Sequence, residues 1–357
     1  MITYVPIIKT SDAEIRALEN LSDKVKSSIT PLLELTRSRT SKKMPEGDIR
    51  RRLQKLADFY ADHEFILDLT TLPDLSNSQI KKLQSNENGY KSWVKFTKDI
   101  LTYFPKMLPI IQINDEGVND IEDHYQRLKT QVSELCKNFE FIVYRFPLVY
   151  EDYVEDLNEI LEATDAKRII CVIDAEFIAQ EKATSYVPTI IDCIEKLNAI
   201  GIEQAVLTST SFPKNPIEFG EDEKGNYALE ERRLYDLVLQ QCPPLIYGDY
   251  ATINPIRDVQ AGGNGWVPRI DLPVNDRLIY FRDRRIKEFE ETYAPAYTRV
   301  AKKVVSHPSF KNAKGNSGEC WGIKQIQLAA EGNPQGLSPS FWISVRMNIH
   351  LSSFAKA

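Results

Sequence analysis

The sequence predicts an α/β fold, a (β/α)8 TIM-like parallel barrel with a mostly helical C-terminal extension, on three observations. Eight short apolar runs recur along residues 1–255, an amphipathic segment follows each, and a polar or charged residue closes nearly every run. The runs are YVPIIK (4–9), ITPLLEL (29–35), FILDLT (65–70), MLPIIQIN (107–114), FIVYRF (141–146), RIICVID (168–174), QAVLTS (204–209) and PLIYGDY (244–250). Most are continuous rather than alternating, the pattern of a strand buried on both faces. Successive runs are roughly 25–40 residues apart, the length of one strand–helix unit in this architecture. The alternative is an open doubly wound sheet with fewer strands, but no GxGxxG follows the first run, so the dinucleotide-binding fingerprint of such sheets is missing.

Ser11-Asp12-Ala13-Glu14 supplies capping residues ahead of Ile15, Leu18 and Leu21, so a helix begins there. Residues 48–62 carry Ile49, Leu53, Leu56 and Phe59 or Tyr60 at helical spacing. Further helical patterns cover 90–103, 119–136, 151–162, 185–199 and 227–240. Parallel strands need such covering crossovers.

Beyond residue 255 the pattern changes, and 256–357 is expected to be an extension packed on the barrel as part of one compact unit. DVQAGGNGWVP is turn-rich, and RIDLPVNDRLIYF reads as a hairpin around Asn275-Asp276. RDRRIKEFEETYAPAYTRVAKKVV reads as one or two helices interrupted near Pro295, KNAKGNSG (311–318) as a polar loop, and Ser338-Pro339 as the start of a last helix.

Composition narrows the function classes. Hydrophobic residues are 42% and charged residues 27% of 357, ordinary globular values. A net charge of −6 argues against a generalised grip on nucleic acid but leaves room for a local basic pocket. Cys136, Cys171, Cys193, Cys242 and Cys320 have no CxxC spacing and read as reduced thiols of a cytoplasmic protein. No signal peptide or membrane span is expected. HExxH, GxSxG and Walker A patterns are absent from the sequence.

Chemistry in a parallel barrel sits at the carboxyl ends of its strands. The polar residues at the ends of the runs are Lys9, Glu34, Asp68, Gln112, Arg145, Asp174, Ser209 and Asp249. Buried strands ending in charges need a wet or mutually neutralising place for them, and a ring at one mouth supplies it. Glu34, Asp68 and Asp174 are the candidate catalytic carboxylates, able to divide acid and base roles or to share a divalent metal such as magnesium or manganese. The competing reading is a salt-bridge network that only pins strand ends.

Arg37 and Arg39, with Lys42, Lys43 and Arg50–Arg52 beyond, follow the second run. Folded over the mouth, they offer guanidinium forks to phosphate or carboxylate. With Lys9 and Arg145 they are the expected holders of a phosphate-bearing small molecule or nucleic-acid end. Gln112, Ser209, Asp249, Tyr250 and, from the cluster Arg282, Arg284 and Arg285, Arg282 are expected to contribute. The bland alternative is a solvated helix face. His350 is the histidine to watch, because Arg346, Asn348 and His350 interrupt an apolar stretch. Strand geometry would put the three on one face, whereas a helix would separate Asn348 from the other two. Trp266, Trp321, Phe341 and Trp342 read either as anchors for a partner protein or second copy, or as a cap on the barrel.

These details resemble the Beta protein family. Its opening pattern is matched by Tyr4, Pro6, Lys9, Glu14, Ala17-Leu18, Pro31 and Glu34, its G-D-Y element by IYGDYATINP (246–255), and its ending by RMNIHLSSF. Where that ending leads one to expect paired histidines, this chain has Ile349-His350, which puts a two-histidine role in doubt. The resemblance implies a protein of phages, prophages and bacterial genomes, encoded in anti-phage defence or counter-defence loci. It brings no catalytic residues.

Overall fold

The computed structural model describes residues 2–118, 120–215, 223–256, 265–286 and 290–354. Its strands are β1 (Tyr4–Lys9), β2 (Leu32–Leu35), β3 (Phe65–Leu69), β4 (Met107–Pro109), β5 (Ile142–Pro147), β6 (Ile169–Phe177), β7 (Gln204–Thr210), β8 (Lys224–Ala228), β9 (Ile246–Asp249), β10 (Arg269–Val274) and β11 (Arg277–Arg282). Eight of these pair in parallel in the order β4-β3-β2-β1-β9-β7-β6-β5. They are the eight apolar runs of the sequence. The ends of that sheet meet at a thin seam, where Ile110 bridges Val143 and Ile111 N donates to Val143 O at 2.7 Å. The barrel therefore closes between β4 and β5.

The seam is thin because β4 is short. The predicted run extends to Asn114, but beyond the seam contact the chain finds side chains in place of a neighbouring strand. Gln131, fully buried on the helix Ile121–Leu135, accepts from Gln112 N at 2.8 Å and donates to Gln112 O at 2.9 Å. One side-chain amide thus satisfies both backbone groups of a buried residue, which would otherwise be costly.

The covering helices fall where the 3.6-residue periodicity put them. In Ile49–Tyr60 the buried stripe is Ile49, Leu53, Leu56 and Tyr60, and the Asp48 side chain caps the helix by accepting from Arg50 N. Ser11 stands at the cap position of Asp12–Glu19, but its side chain makes no capping bond. Asn119, heading the predicted 119–136 helix, lies outside the described residues, as do 257–264 of the turn-rich DVQAGGNGWVP and 287–289 of the segment read as one or two helices.

The hairpin around Asn275-Asp276 forms β10 and β11, and β8 adds a third antiparallel strand to it. Residues 311–318 are not a loop: the helix Pro308–Ser317 is capped by His307 Nδ1, begins with proline, buries Phe310 and Ala313, and stops at Gly318 with φ of +71°. Pro295 does not interrupt a helix either. It sits in the first turn of Tyr293–Val305, where a missing N–H costs nothing.

One face of the small sheet carries Ile270, Leu272, Val274, Ile279 and Phe281 into a second core with Tyr297, Val300, Ile323 and Ile326. The last helix, Pro339–Phe354, belongs to both cores. Met347 and Leu351 join the barrel's hydrophobic core, while Trp342, Val345 and Ile349 join the second. A helix covered on opposite sides is buried nearly all round, and its buried polar residues Arg346, Asn348 and His350 each meet a polar partner. Gly322 lets a neighbouring helix approach it closely, since a Cβ there would lie 2.6 Å from Val345 O.

Leu351→Ala should lower unfolding free energy by about 2–5 kcal/mol in urea titration, the cost of a cavity at a fully buried leucine. A chain ended after residue 310 should lose solubility, because both cores lose a wall. A soluble, folded monomer of that length would show the helix to be dispensable.

Candidate functional site

The inward residues at the strand ends converge on one guanidinium. Arg145, on β5, donates through Nη1 to Glu34 Oε1 and Asp68 Oδ2, each at 2.9 Å. Through Nη2 and Nε it reaches Asp174 Oδ2 at 2.7 and 3.0 Å. Lys9 Nζ lies 3.4 Å from Glu34 Oε2, and Gln112 Nε2 donates to Asp68 Oδ1 at 3.3 Å. Tyr250 OH donates to Asp174 Oδ2 at 2.6 Å and accepts from Arg145 Nη2 at 3.1 Å. Registers explain the convergence: Lys9, Glu34 and Asp68 are directly paired across β1, β2 and β3. Of the expected ring, Lys9, Glu34, Asp68, Gln112, Arg145 and Asp174 form one cluster, which Tyr250 joins, whereas Ser209 and Asp249 do not.

Its electrostatics follow from burial against pairing. Burial alone would raise the Glu34 pKa, but Lys9 and Arg145 outweigh it and hold Glu34 below the usual glutamate value. Asp68 goes the other way, because burial and the Glu34 charge together exceed the pull of Arg145. Burial disfavours the Arg145 charge, yet Asp174, Tyr250, Glu34 and Asp68 keep it fully protonated. Three carboxylates and two cations thus nearly neutralise one another.

This arrangement does not suit the expected divalent metal. The carboxylates turn their oxygens to a cation that already occupies the centre, and among the described residues no group of three or more His, Cys, Asp or Glu is arranged to hold a metal.

Other expected residues lie elsewhere. Thr208, not Ser209, is the ring residue of β7: its Oγ1 donates to Asp174 Oδ1 at 3.2 Å, and Ser209 alternates to the opposite face. Parity from Asp174, its directly paired neighbour, was the available signal. Asp249 likewise faces outward, where it accepts from Tyr4 OH at 2.7 Å and Tyr247 OH at 3.0 Å and meets His350 Nε2 at 2.7 Å. His350 holds Asp249 below the usual aspartate value despite burial. Arg346, one turn before His350, binds Thr252 and Asp271, whereas Asn348 points away to Gly322 N and Ala17 O. The helical alternative for these three is the observed one. Arg282 is buried on β11 opposite Arg269.

Near that outer node lies Glu231, in the first turn of the helix Glu230–Leu239. Burial pushes its carboxyl up to about 7, with the Asp249 charge adding to the rise, although Ser211 N and Oγ donate to it.

Arg37 and Arg39 border a cleft of about 820 Å³ between the barrel mouth and the second layer. Lys9, Arg37, Arg39 and Arg52 line its barrel side, Arg269 and Arg346 the other, and Lys214 a loop between them. Against these seven cations stand four carboxylates, Asp12, Glu14, Asp74 and Asp271. Asp12 is shared by Arg39 and Arg52, and Asp271 by Arg269 and Arg346. Arg37 Nε donates to a neutral acceptor, Asp74 O, at 3.1 Å. Sequence reading missed Arg269, Asp271 and Arg346 as site residues, because only strand pairing and the last helix bring them to the cleft.

A family model described as Beta protein matches residues 4–356. The chain belongs to the Beta protein family. The sequence is also 27% identical to Protein beta of Enterobacteria phage P4, over 98% of this chain and 92% of that protein. Among solved structures, this Beta protein family member resembles a GH18 chitinase from Pseudoalteromonas aurantia (TM-score 0.43, 9% identity, 69% of this chain and 93% of the chitinase). It also resembles the spore cortex-lytic enzyme SleL of Bacillus megaterium QM B1551 (TM-score 0.34, 12% identity, 97% and 73%). At these scores neither enzyme carries chemistry across. Among the described residues no helix is long and apolar enough to cross a membrane.

Two predictions test the electrostatics. Arg145→Met, which strands three carboxylates, should cost about 3–5 kcal/mol at neutral pH, read by chemical denaturation. Unchanged stability would mean the ring is not held by that cation. For Glu231 the folded pKa is raised, so its stabilising effect is complete below the ordinary value of 4.5 and is lost as pH rises towards about 7. Glu231→Gln should therefore flatten the fall in Tm across that window, and an unaltered Tm–pH curve would contradict the assignment.

Proposed function

We propose that this chain binds a phosphate-bearing ligand, a nucleotide or a nucleic-acid end, in the cleft above the barrel mouth. It does so as a component of a phage–host conflict system, in defence or counter-defence. The observation that carries the reading is the excess of cations in the cleft, where Asp12 and Asp271 are each already shared by two guanidiniums. Such forks match phosphate oxygens bidentately, and a cleft of about 820 Å³ falls within the usual span of ligand sites. Arg39 is the most exposed of the cleft's arginines, with 80% of its side chain accessible, and Lys9 links the cleft to the ring.

In this reading Glu34, Asp68 and Asp174 act as braces for Arg145 and Lys9 rather than as acids and bases. They hold the two cations in place at the floor of the mouth. The phage origin of Protein beta supports the conflict-system setting. A partner-protein role for the C-terminal aromatics has less support, since Trp342 is buried and stacked on Tyr297 at 5.1 Å.

Isothermal titration with ATP and with a 5′-phosphorylated oligonucleotide tests the proposal. Binding should weaken as salt rises, and the double variant Arg37→Ala/Arg39→Ala should weaken it by about tenfold or more, as expected for charge-assisted contacts. Binding indifferent to both salt and the two arginines, or no heat with either ligand, would remove the proposal.

A further inference from the structure

We infer that Trp266 is a stacking platform for an unpaired base of single-stranded nucleic acid whose phosphates lie in the cleft, which rests on the phosphate reading above. Among the chain's four tryptophans, Trp93 and Trp342 are buried and Trp321 is half-buried, whereas Trp266 is 40% exposed.

Trp266 is held in a fixed attitude. Its ring stacks on Tyr293 with centroids 4.1 Å apart and planes 13° from parallel, and its backbone N–H donates to Tyr293 OH at 3.3 Å. Tyr293 is in turn anchored as the first residue of the helix Tyr293–Val305, and the Arg285 guanidinium lies 4.2 Å from its ring centroid. Arg285 Nη1 donates to a neutral carbonyl, Glu291 O, at 3.3 Å. The exposed indole is therefore the outer layer of a preassembled stack, and little ordering is left to be done on binding.

Its position matters as much as its rigidity. The next residue, Val267, lines the basic cleft, and Arg269 stands two residues further along the same wall. A flat π surface at the edge of a groove rich in arginine and lysine is the pairing that single-strand binders use, since every base has a face to stack and every phosphate a charge to neutralise. The Arg285 charge stands beside the stack, and the basic cleft begins one residue away at Val267. Among the described residues the complementarity therefore favours a base with its phosphate.

The test compares two single strands of equal phosphate number, a 5′-phosphorylated oligothymidylate of about eight nucleotides and its fully abasic counterpart. Affinities are taken by titration, and intrinsic tryptophan emission is followed alongside. The thymidylate should bind the native chain about tenfold more tightly than the abasic strand and quench its emission. Trp266→Ala should erase that difference by weakening only the thymidylate, and Trp266→Phe should restore most of it. Equal binding of both strands to the native chain, or undiminished thymidylate binding by Trp266→Ala, overturns this inference and leaves the phosphate reading intact. Failure of both strands to bind while ATP binds overturns this inference alone, and failure of the strands and of ATP overturns the two together.

Discussion

The Arg145 guanidinium bears more of this architecture than any other group. It comes from β5, on one side of the thin seam, and its partners Glu34 and Asp68 come from β2 and β3 on the other. The backbone closes the barrel there with a single bridge and one adjoining hydrogen bond, so the side chain ties together what the ladder barely joins. Burying a charge costs several kcal/mol unless its hydrogen bonds are made. Here three carboxylates and Tyr250 make them. Such a network is a poor source of net stability, but it admits one arrangement of the strand ends, and that constraint fixes the geometry of the mouth.

The cleft depends on the mouth in turn. Lys9 takes part in the ring and also lines the cleft, so the cationic floor is set by the same carboxylates that satisfy Arg145. The opposite wall is set by an unrelated device. Arg346 leaves the last helix to meet Asp271 on β10, and its guanidinium lies 4.2 Å from the Phe212 ring centroid. Two layers joined by the last helix each present arginines to the space between them, although the chain as a whole is acidic. A local field of that kind is compatible with a negative net charge, because screening in salt confines the field to about 8–10 Å.

Much of the architecture was legible in the sequence, for a definite reason. A parallel strand covered on both sides must be apolar along its length, so all eight barrel strands announce themselves, and a charge at the end of such a strand must point somewhere polar. Parity was the weak point. Ser209 and Asp249 were read as inward, yet Thr208 and Tyr250 hold those positions, because alternation assigns faces one residue at a time. Pairing at long range was invisible as well. β8 lies within and beside a segment with helical periodicity and is a strand because β11 offers it an edge. The helix Pro308–Ser317 is polar enough to resemble a loop and forms because Phe310 and Ala313 find the second core. The arginine pair on the far wall of the cleft has the same origin.

The double allegiance of Pro339–Phe354 also bears on how the molecule comes into being. A ribosome would release β9, the last barrel strand, nearly a hundred residues before this helix, an interval on the order of 5–20 s at ordinary elongation rates. Throughout that interval the nascent chain holds a nearly complete barrel with an uncovered flank where Met347 and Leu351 will dock. Newly made chains therefore pass through a sticky stage of fixed duration. Cells producing this protein at high level should need holdase chaperones in proportion to its rate of synthesis, and slowing translation late in the message should increase losses to proteolysis.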